Sequence, residues 1–292
     1  MTKHKTCLTS FLAVAAMVFS SLPVHAGELL VHNGESIAFL GDSITQEGAE
    51  MPGGYVQLVI SGLKANGVAV TPIPRGTGGH TSADMIGRIG EVLSNKPSWL
   101  SVSCGVNDVN RGANGGIPLD KFKVNMTAIV DQAQSVGVKV LLLTATMIGG
   151  AGSEGNLKLA GYNDFVRQLA KEKNCLLADL NADMLTATQS AEVRRRSLTR
   201  DGIHMYPFGN QMMATGVLKA FGMDESQLRK VRDFWLNMPE VACRIPVSLS
   251  LTLRQYEQLT EAAARENRSI DDWIATKVLA NLPPPEPTSA NP

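Results

Sequence analysis

From Ser36 onward the chain alternates short apolar runs with longer stretches of helical periodicity, and this alternation restricts the fold more than any other feature. Ser36–Leu40, Val68–Ile73, Trp99–Cys104, Val138–Thr144 and Cys175–Leu180 read as strands. Val138–Thr144 is apolar almost throughout, as expected of a strand covered on both faces. Between and after them, Tyr55–Lys64, Ser82–Leu93, Leu119–Val136, Leu157–Lys173 and Phe208–Phe221 carry helical spacing. Five strands alternating with helices specify an α/β fold, a three-layer sandwich around a five-stranded parallel sheet. Ligands of such sheets sit at the carboxyl ends of the strands. Gly41-Asp42-Ser43, Gly105-Val106-Asn107-Asp108 and Thr144–Gly150 all follow strands, so they are expected to gather on one rim.

Both ends of the chain read differently. Lys3, His4 and Lys5 precede a mostly apolar stretch from Leu8 to Leu22 and then Val24-His25-Ala26, the pattern of a secretory signal peptide over 1–26, cleaved near Ala26. The run is short for a membrane span of about 20 residues, so no integral span is expected after cleavage, and the mature protein is expected to be secreted or periplasmic. The α/β pattern closes at Gly222, which gives a main domain over 27–222. A polar, helix-like connector occupies 223–246. An appendage over 247–282 follows, with Val247–Leu251 alternating like a strand and short amphipathic helices at Leu253–Glu266 and Ile270–Leu282. The proline-rich tail over 283–292 is expected to be disordered. The strand–helix–helix order loosely resembles a ribbon-helix-helix module. A secreted context argues against DNA, leaving a packing element or a homodimer contact.

Charge and cysteines exclude several functions. Basic and acidic residues balance at 27 each, with no extended basic block, so nucleic acid is not implied as a partner. Cys104, Cys175 and Cys243 remain after the leader, an odd number without a disulfide framework. No C-x-x-C or H-E-x-x-H spacing occurs, so neither a metal nor a cofactor is expected.

Ser43 follows a strand and begins a helix, where backbone N–H groups favour developing negative charge. Taken alone, Gly-Asp-Ser at that place reads first as an ordinary helix cap. The leader's removal leaves His32, His80 and His204 as candidate bases. His204 stands in Asp201-Gly202-Ile203-His204, and an Asp three residues before a His can fold back to hold the imidazole Nδ1–H, freeing Nε2 to take a serine proton.

Four blocks then occur in order: Gly41-Asp42-Ser43-Ile44-Thr45, Gly78-Gly79-His80-Thr81-Ser82, Gly105-Val106-Asn107-Asp108 and Asp201-x-x-His204. In order and spacing they resemble the SGNH hydrolases, the GDSL-like lipase/esterase superfamily, over roughly Ile37–Gly222. The resemblance implies a flavodoxin-like sheet and a role for each matched residue. Ser43 is the nucleophile, His204 the base and then the acid, and Asp201 its orienting partner. The oxyanion hole is formed by the Ser43 and Gly79 backbone N–H groups and the Asn107 amide. Asp42 and Asp108 are read as structural residues near the site. Ile44 replaces the leucine of the eponymous motif, and Pro74-Arg75-Gly76 stands where an asparagine often precedes the second block. The G-x-S-x-G elbow of α/β-hydrolases is absent.

The flanks Gln46-Glu47-Gly48, Asn110–Gly116 and Gly149–Gly155 are polar or glycine-rich and offer little surface to a fatty chain. The expected substrate is therefore a short O-acyl ester, O-acetyl above all, on a hydrophilic carrier such as a glycan. Acyl transfer to a glycan by the same residues, lysophospholipase or thioesterase action, and a non-catalytic binding role for the C-terminal module are the competing readings.

Overall fold

The computed structural model describes residues 29–190, 197–238 and 249–283. Its strands are β1 (Ser36–Gly41), β2 (Thr71–Gly76), β3 (Trp99–Ser103), β4 (Lys139–Leu143) and β5 (Leu176–Ala178). They form one parallel sheet in the order β2-β1-β3-β4-β5, the flavodoxin-like arrangement. Helices α1 (Ser43–Glu50), α2 (Tyr55–Ala65), α3 (Ser82–Gly87), α4 (Ile89–Ser94), α5 (Val106–Asn110) and α6 (Leu119–Ser135) occupy the first half. Helices α7 (Glu154–Glu172), α8 (Leu180–Thr188), α9 (Pro207–Ala220) and α10 (Glu225–Leu236) follow.

Successive strand side chains point to opposite faces, and both faces are covered. Ile37, Phe39, Leu141 and Leu143 enter one core with α1, α2, α8, α9 and α10. Ala38, Leu40, Val140 and Leu142 enter the other, against α3, α4, α6 and α7. Two-sided burial is why β1 and β4 read as apolar runs.

The structure corrects two elements. The second strand covers Thr71–Gly76 rather than Val68–Ile73. Thr71 N–H donates to Glu35 O and Thr77 N–H to Gly41 O, so odd positions face β1. Pro72 and Pro74, which have no N–H, face away, an arrangement open only to an edge strand. Residues 68–70 lead into the strand, with Ala69 N–H bonded to Asn33 Oδ1. The helix expected over Ser82–Leu93 is two short helices broken at Arg88. There the Arg88 guanidinium donates to Gly41 O at 3.1 Å and Arg75 O at 2.6 Å, where β1 and β2 end.

The leader over 1–26 lies outside the described residues. Leu29 and Val31 are already buried in the first core. In the stretch read as a polar connector, α10 begins with a capping box at Asp224 and Gln227 and buries Leu228, Val231 and Trp235 in that same core. Trp235 Nε1–H donates to Ser61 Oγ on α2 at 3.0 Å.

A second compact unit begins at Ile245. It holds α11 (Leu253–Arg265) and α12 (Ile270–Ala280), with Thr252 and Ser269 as their N-caps. Glu266 between them accepts from Trp273 Nε1 at 3.0 Å and Lys277 Nζ at 2.7 Å. Of the strand expected over Val247–Leu251, residues 247 and 248 lie outside the described residues, and 249–251 are in neither helix nor strand. The expected disordered tail falls almost wholly outside the described residues.

Candidate active site

The sheet order reverses between β1 and β3, and the crevice beyond their carboxyl ends is where the predicted residues meet. β1 delivers Gly41 against α1 so closely that a Cβ there would lie 2.1 Å from Thr45 Oγ1. Thr45 Oγ1 is itself bonded to the Tyr55 hydroxyl at 2.9 Å, which leaves the threonine little room to yield. Asp42 then caps α1, its Oδ1 accepting the Ile44 N–H at 3.0 Å. This cap makes Ser43 the first helical residue, half-exposed, with a backbone N–H that donates to no protein group among the described residues.

The loop after β2 and the helix after β3 form the opposite wall. Gly79 adopts φ +76°, a conformation natural to glycine, and its N–H likewise donates to no protein acceptor among the described residues. Gly78 N–H is tied to Gln46 Oε1 of α1 at 2.8 Å. Asn107 donates one amide hydrogen to His80 O at 3.0 Å, which fixes the amide and leaves its second hydrogen available. Its neighbour Asp108 faces inward, where its carboxylate accepts from Ser82 N–H and Ser82 Oγ–H. Consecutive residues of α5 thus serve two sides: Asn107 the crevice, Asp108 the wall behind it.

The segment before α9 supplies Asp201 and His204. His204 Nε2 lies 2.9 Å from Ser43 Oγ, and His204 Nδ1 lies 2.6 Å from Asp201 Oδ2. Asp201 Oδ1 also accepts the backbone N–H groups of Ile203 at 3.0 Å and His204 at 2.8 Å. One carboxylate therefore folds the turn and orients the ring. Arg200 reaches across to Glu47 of α1 at 2.6 Å, and Gly149 N–H donates to Gly202 O at 2.7 Å.

Electrostatics separate the three aspartates. Partial burial works to raise the Asp201 pKa, but the hydrogen bonds from the His204 ring and the two backbone N–H groups prevail and hold it at about 2. An ionised Asp201 only accepts, so Nδ1 carries the imidazole proton and Nε2 presents its lone pair to Ser43 Oγ–H. Asp42 is buried, and desolvation pushes it up to about 6 despite the Ile44 N–H bond and the nearby His204. Burial likewise raises Asp108 against the bonds from Ser82.

Ser43, Asp201, His204, Gly79 and Asn107 thus stand around one crevice, with Asp42 and Asp108 behind it. His32 is elsewhere, its backbone N–H bonded to Glu35. The sequence did not single out Gln46, Ser82, the Glu47–Arg200 pair or Arg111, whose Nη2 lies 2.4 Å from where a Cβ on Gly79 would stand. Each acts through a contact distant in the chain. Only the polarity of the stretches after Ser43 and Asn107 hinted at Gln46, Glu47 and Arg111. Among the described residues no group of three His, Cys, Asp or Glu side chains is placed to hold a metal ion, and no helix is long and apolar enough to cross a membrane.

Residues 39–212 match the GDSL-like lipase/acylhydrolase family, and the chain belongs to that family. It is a carboxylic ester hydrolase. An acetylxylan esterase from Geobacillus stearothermophilus is 26% identical over 181 residues, spanning 59% of this chain and 82% of that protein. The acetyl xylan esterase AlAXEase superposes with a TM-score of 0.59 at 33% identity, covering 63% of this chain and 98% of its own. Axe2, an acetylxylan esterase from G. stearothermophilus, gives 0.61 at 25% identity, covering 67% and 98%. Axe2 variants with a serine or an aspartate replaced by alanine are described as catalytic mutants.

Proposed function

We propose that this chain is an exported O-acetyl esterase acting on acetylated carbohydrate, with Ser43 as nucleophile, His204 as base and then acid, and Asp201 orienting His204. The observation that carries the reading is the continuous relay from Ser43 Oγ to His204 Nε2 at 2.9 Å and from His204 Nδ1 to Asp201 at 2.6 Å. As Ser43 Oγ bonds to the ester carbonyl carbon, its proton passes to Nε2 and the carbonyl π pair moves onto oxygen. That oxyanion is met by the Ser43 N–H, the Gly79 N–H and the free hydrogen of the Asn107 amide. Collapse breaks the ester C–O bond, the sugar oxygen takes the proton from Nε2, and acetyl-Ser43 remains. A water molecule repeats the sequence, giving its proton to His204 and releasing acetate as Ser43 recovers its own. Asp201 stays ionised throughout and stabilises the imidazolium formed in each half-reaction.

A carbohydrate carrier is supported by the names of the relatives and by the rim itself. The polar loop after α5 and the glycine-rich loop joined to Gly202 both border the crevice. Export rests on the basic, then apolar, then Ala26-ending leader.

The test uses purified protein with p-nitrophenyl esters of increasing chain length and with acetylated xylo-oligosaccharides, following acid release. The expected result is turnover of acetyl esters, falling as the acyl chain lengthens, with acetate freed from the oligosaccharides. A preference for long acyl chains, or no acetate from any oligosaccharide, would overturn the substrate assignment.

A further inference from the structure

Asn107 and Arg111 are four residues apart on α5 and its C-cap, which places them on one side of the turn. Asn107 takes His80 O, and Arg111 lies over the preceding residue, Gly79. Two side chains of one short element therefore grip neighbouring residues of the same loop. A Cβ at Gly79 would lie 2.4 Å from Arg111 Nη2 and 3.7 Å from Cζ, so the guanidinium rests against the Gly79 backbone. The turn that carries it is fixed by main-chain bonds: Arg111 N–H to Asn107 O, Asn114 N–H to Arg111 O and Gly116 N–H to Gly112 O.

No hydrogen bond or ion pair engages the Arg111 side chain among the described residues. Asp84 is the nearby anion and feels the Arg111 charge, but no ion pair joins them, and its Oδ2 accepts the N–H and hydroxyl of Thr81, both at 2.8 Å. Across the crevice Arg200 is neutralised by Glu47 at 2.6 Å. Among the described residues the rim thus offers a cation whose fork of donors is unspent, directly beside the donors offered to the ester carbonyl. Fork-shaped guanidinium donors match a carboxylate.

We infer that Arg111 is a specificity residue that binds a carboxylate on the carrier next to the scissile ester, so that the substrate class is acetylated acidic carbohydrate, with a uronic acid beside the acetylated sugar. This deepens the proposed function and rests on it. The charge binds the carrier, not the reacting carbonyl, so the gain belongs in KM. Because Arg111 is exposed, the expected preference is modest, about three- to tenfold at low salt, and it shrinks as salt screens the pair.

The experiment compares kcat and KM of wild type, Arg111→Lys and Arg111→Gln on acetylated xylo-oligosaccharides of equal length with and without a uronic acid substituent. p-Nitrophenyl acetate serves as the common reference. In wild type the uronate-bearing substrate is expected to show the lower KM. Arg111→Gln brings the ratio of the two substrates to about one, Arg111→Lys retains part of it, and 0.5 M salt reduces it in wild type. A wild-type ratio near one, a ratio unchanged in Arg111→Gln, or an equal loss of kcat on all esters overturns the assignment. Failure of wild type to hydrolyse p-nitrophenyl acetate and every oligosaccharide would instead overturn the esterase reading beneath it.

Discussion

Replacing Asp42 with asparagine should stabilise the protein at neutral and alkaline pH while leaving it almost unchanged in acid. Asp42 is only 2% exposed, and burial lifts its pKa from 3.8 to about 6. For an acid, a raised pKa means the folded state binds the proton more tightly than the unfolded chain. Between about pH 4 and 6 the folded state therefore holds a proton that the unfolded chain has released, and wild-type stability falls as pH rises. A shift of about two units corresponds to about 3 kcal/mol, complete above pH 6 and reduced to about 0.5 kcal/mol at pH 4. Asparagine keeps the oxygen that caps α1 by accepting the Ile44 N–H, and the two residues are comparable caps. Equilibrium urea unfolding of both proteins from pH 4 to pH 8 measures the difference, in which carboxylates common to both cancel. Asp42→Asn should gain on wild type through pH 4–6 and level off at about 3 kcal/mol. Parallel pH profiles, or a mutant that loses ground as pH rises, would refute the argument from burial.

Ser43→Ala should remove ester turnover without unfolding the protein, and a fluorophosphonate should label Ser43 in wild type; labelling elsewhere, read by peptide mass, would displace the nucleophile. Asn107→Ala should lower kcat by about 10²–10³-fold with little change in KM, the usual effect of losing one oxyanion donor. A pure KM effect would reassign Asn107 to ground-state binding. Truncation after Met238 should keep esterase activity, whereas truncation after Gly222 removes Leu228, Val231 and Trp235 from the core and should yield insoluble or unfolded protein. An inactive but folded truncation after Met238, by circular dichroism and assay, would make the second unit part of the active site.

Several strands and the Asp201–His204 turn were legible in the sequence because their causes are local. Two-sided burial writes apolar runs at β1 and β4, and Asp201 needs only the next three residues to hold His204. The misplaced features have causes elsewhere in the chain. The break at Arg88 is held by carbonyls of Gly41 and Arg75, and within Ser82–Leu93 only the flanking Gly87 and Gly90 weaken the helix there. The β2 register was hidden by Pro72 and Pro74, which argue against a strand unless its edge position is known. The connector before residue 239 looked polar because α10 buries only one stripe. Arg111 is invisible for the same reason as Gln46: its meaning lies in a loop reached only through the fold.

The outward-facing prolines of β2 also bear on how the molecule behaves when concentrated. A sheet margin recruits another chain through its free N–H and C=O groups. At β2, positions 72 and 74 have no N–H to offer, and at the opposite margin β5 is only three residues long. Strand-by-strand growth, the route from an open sheet toward fibrils, is chemically closed on one side and too brief to hold on the other. The core sheet can therefore remain open, as its ligand crevice requires, without becoming a template for its own polymerisation.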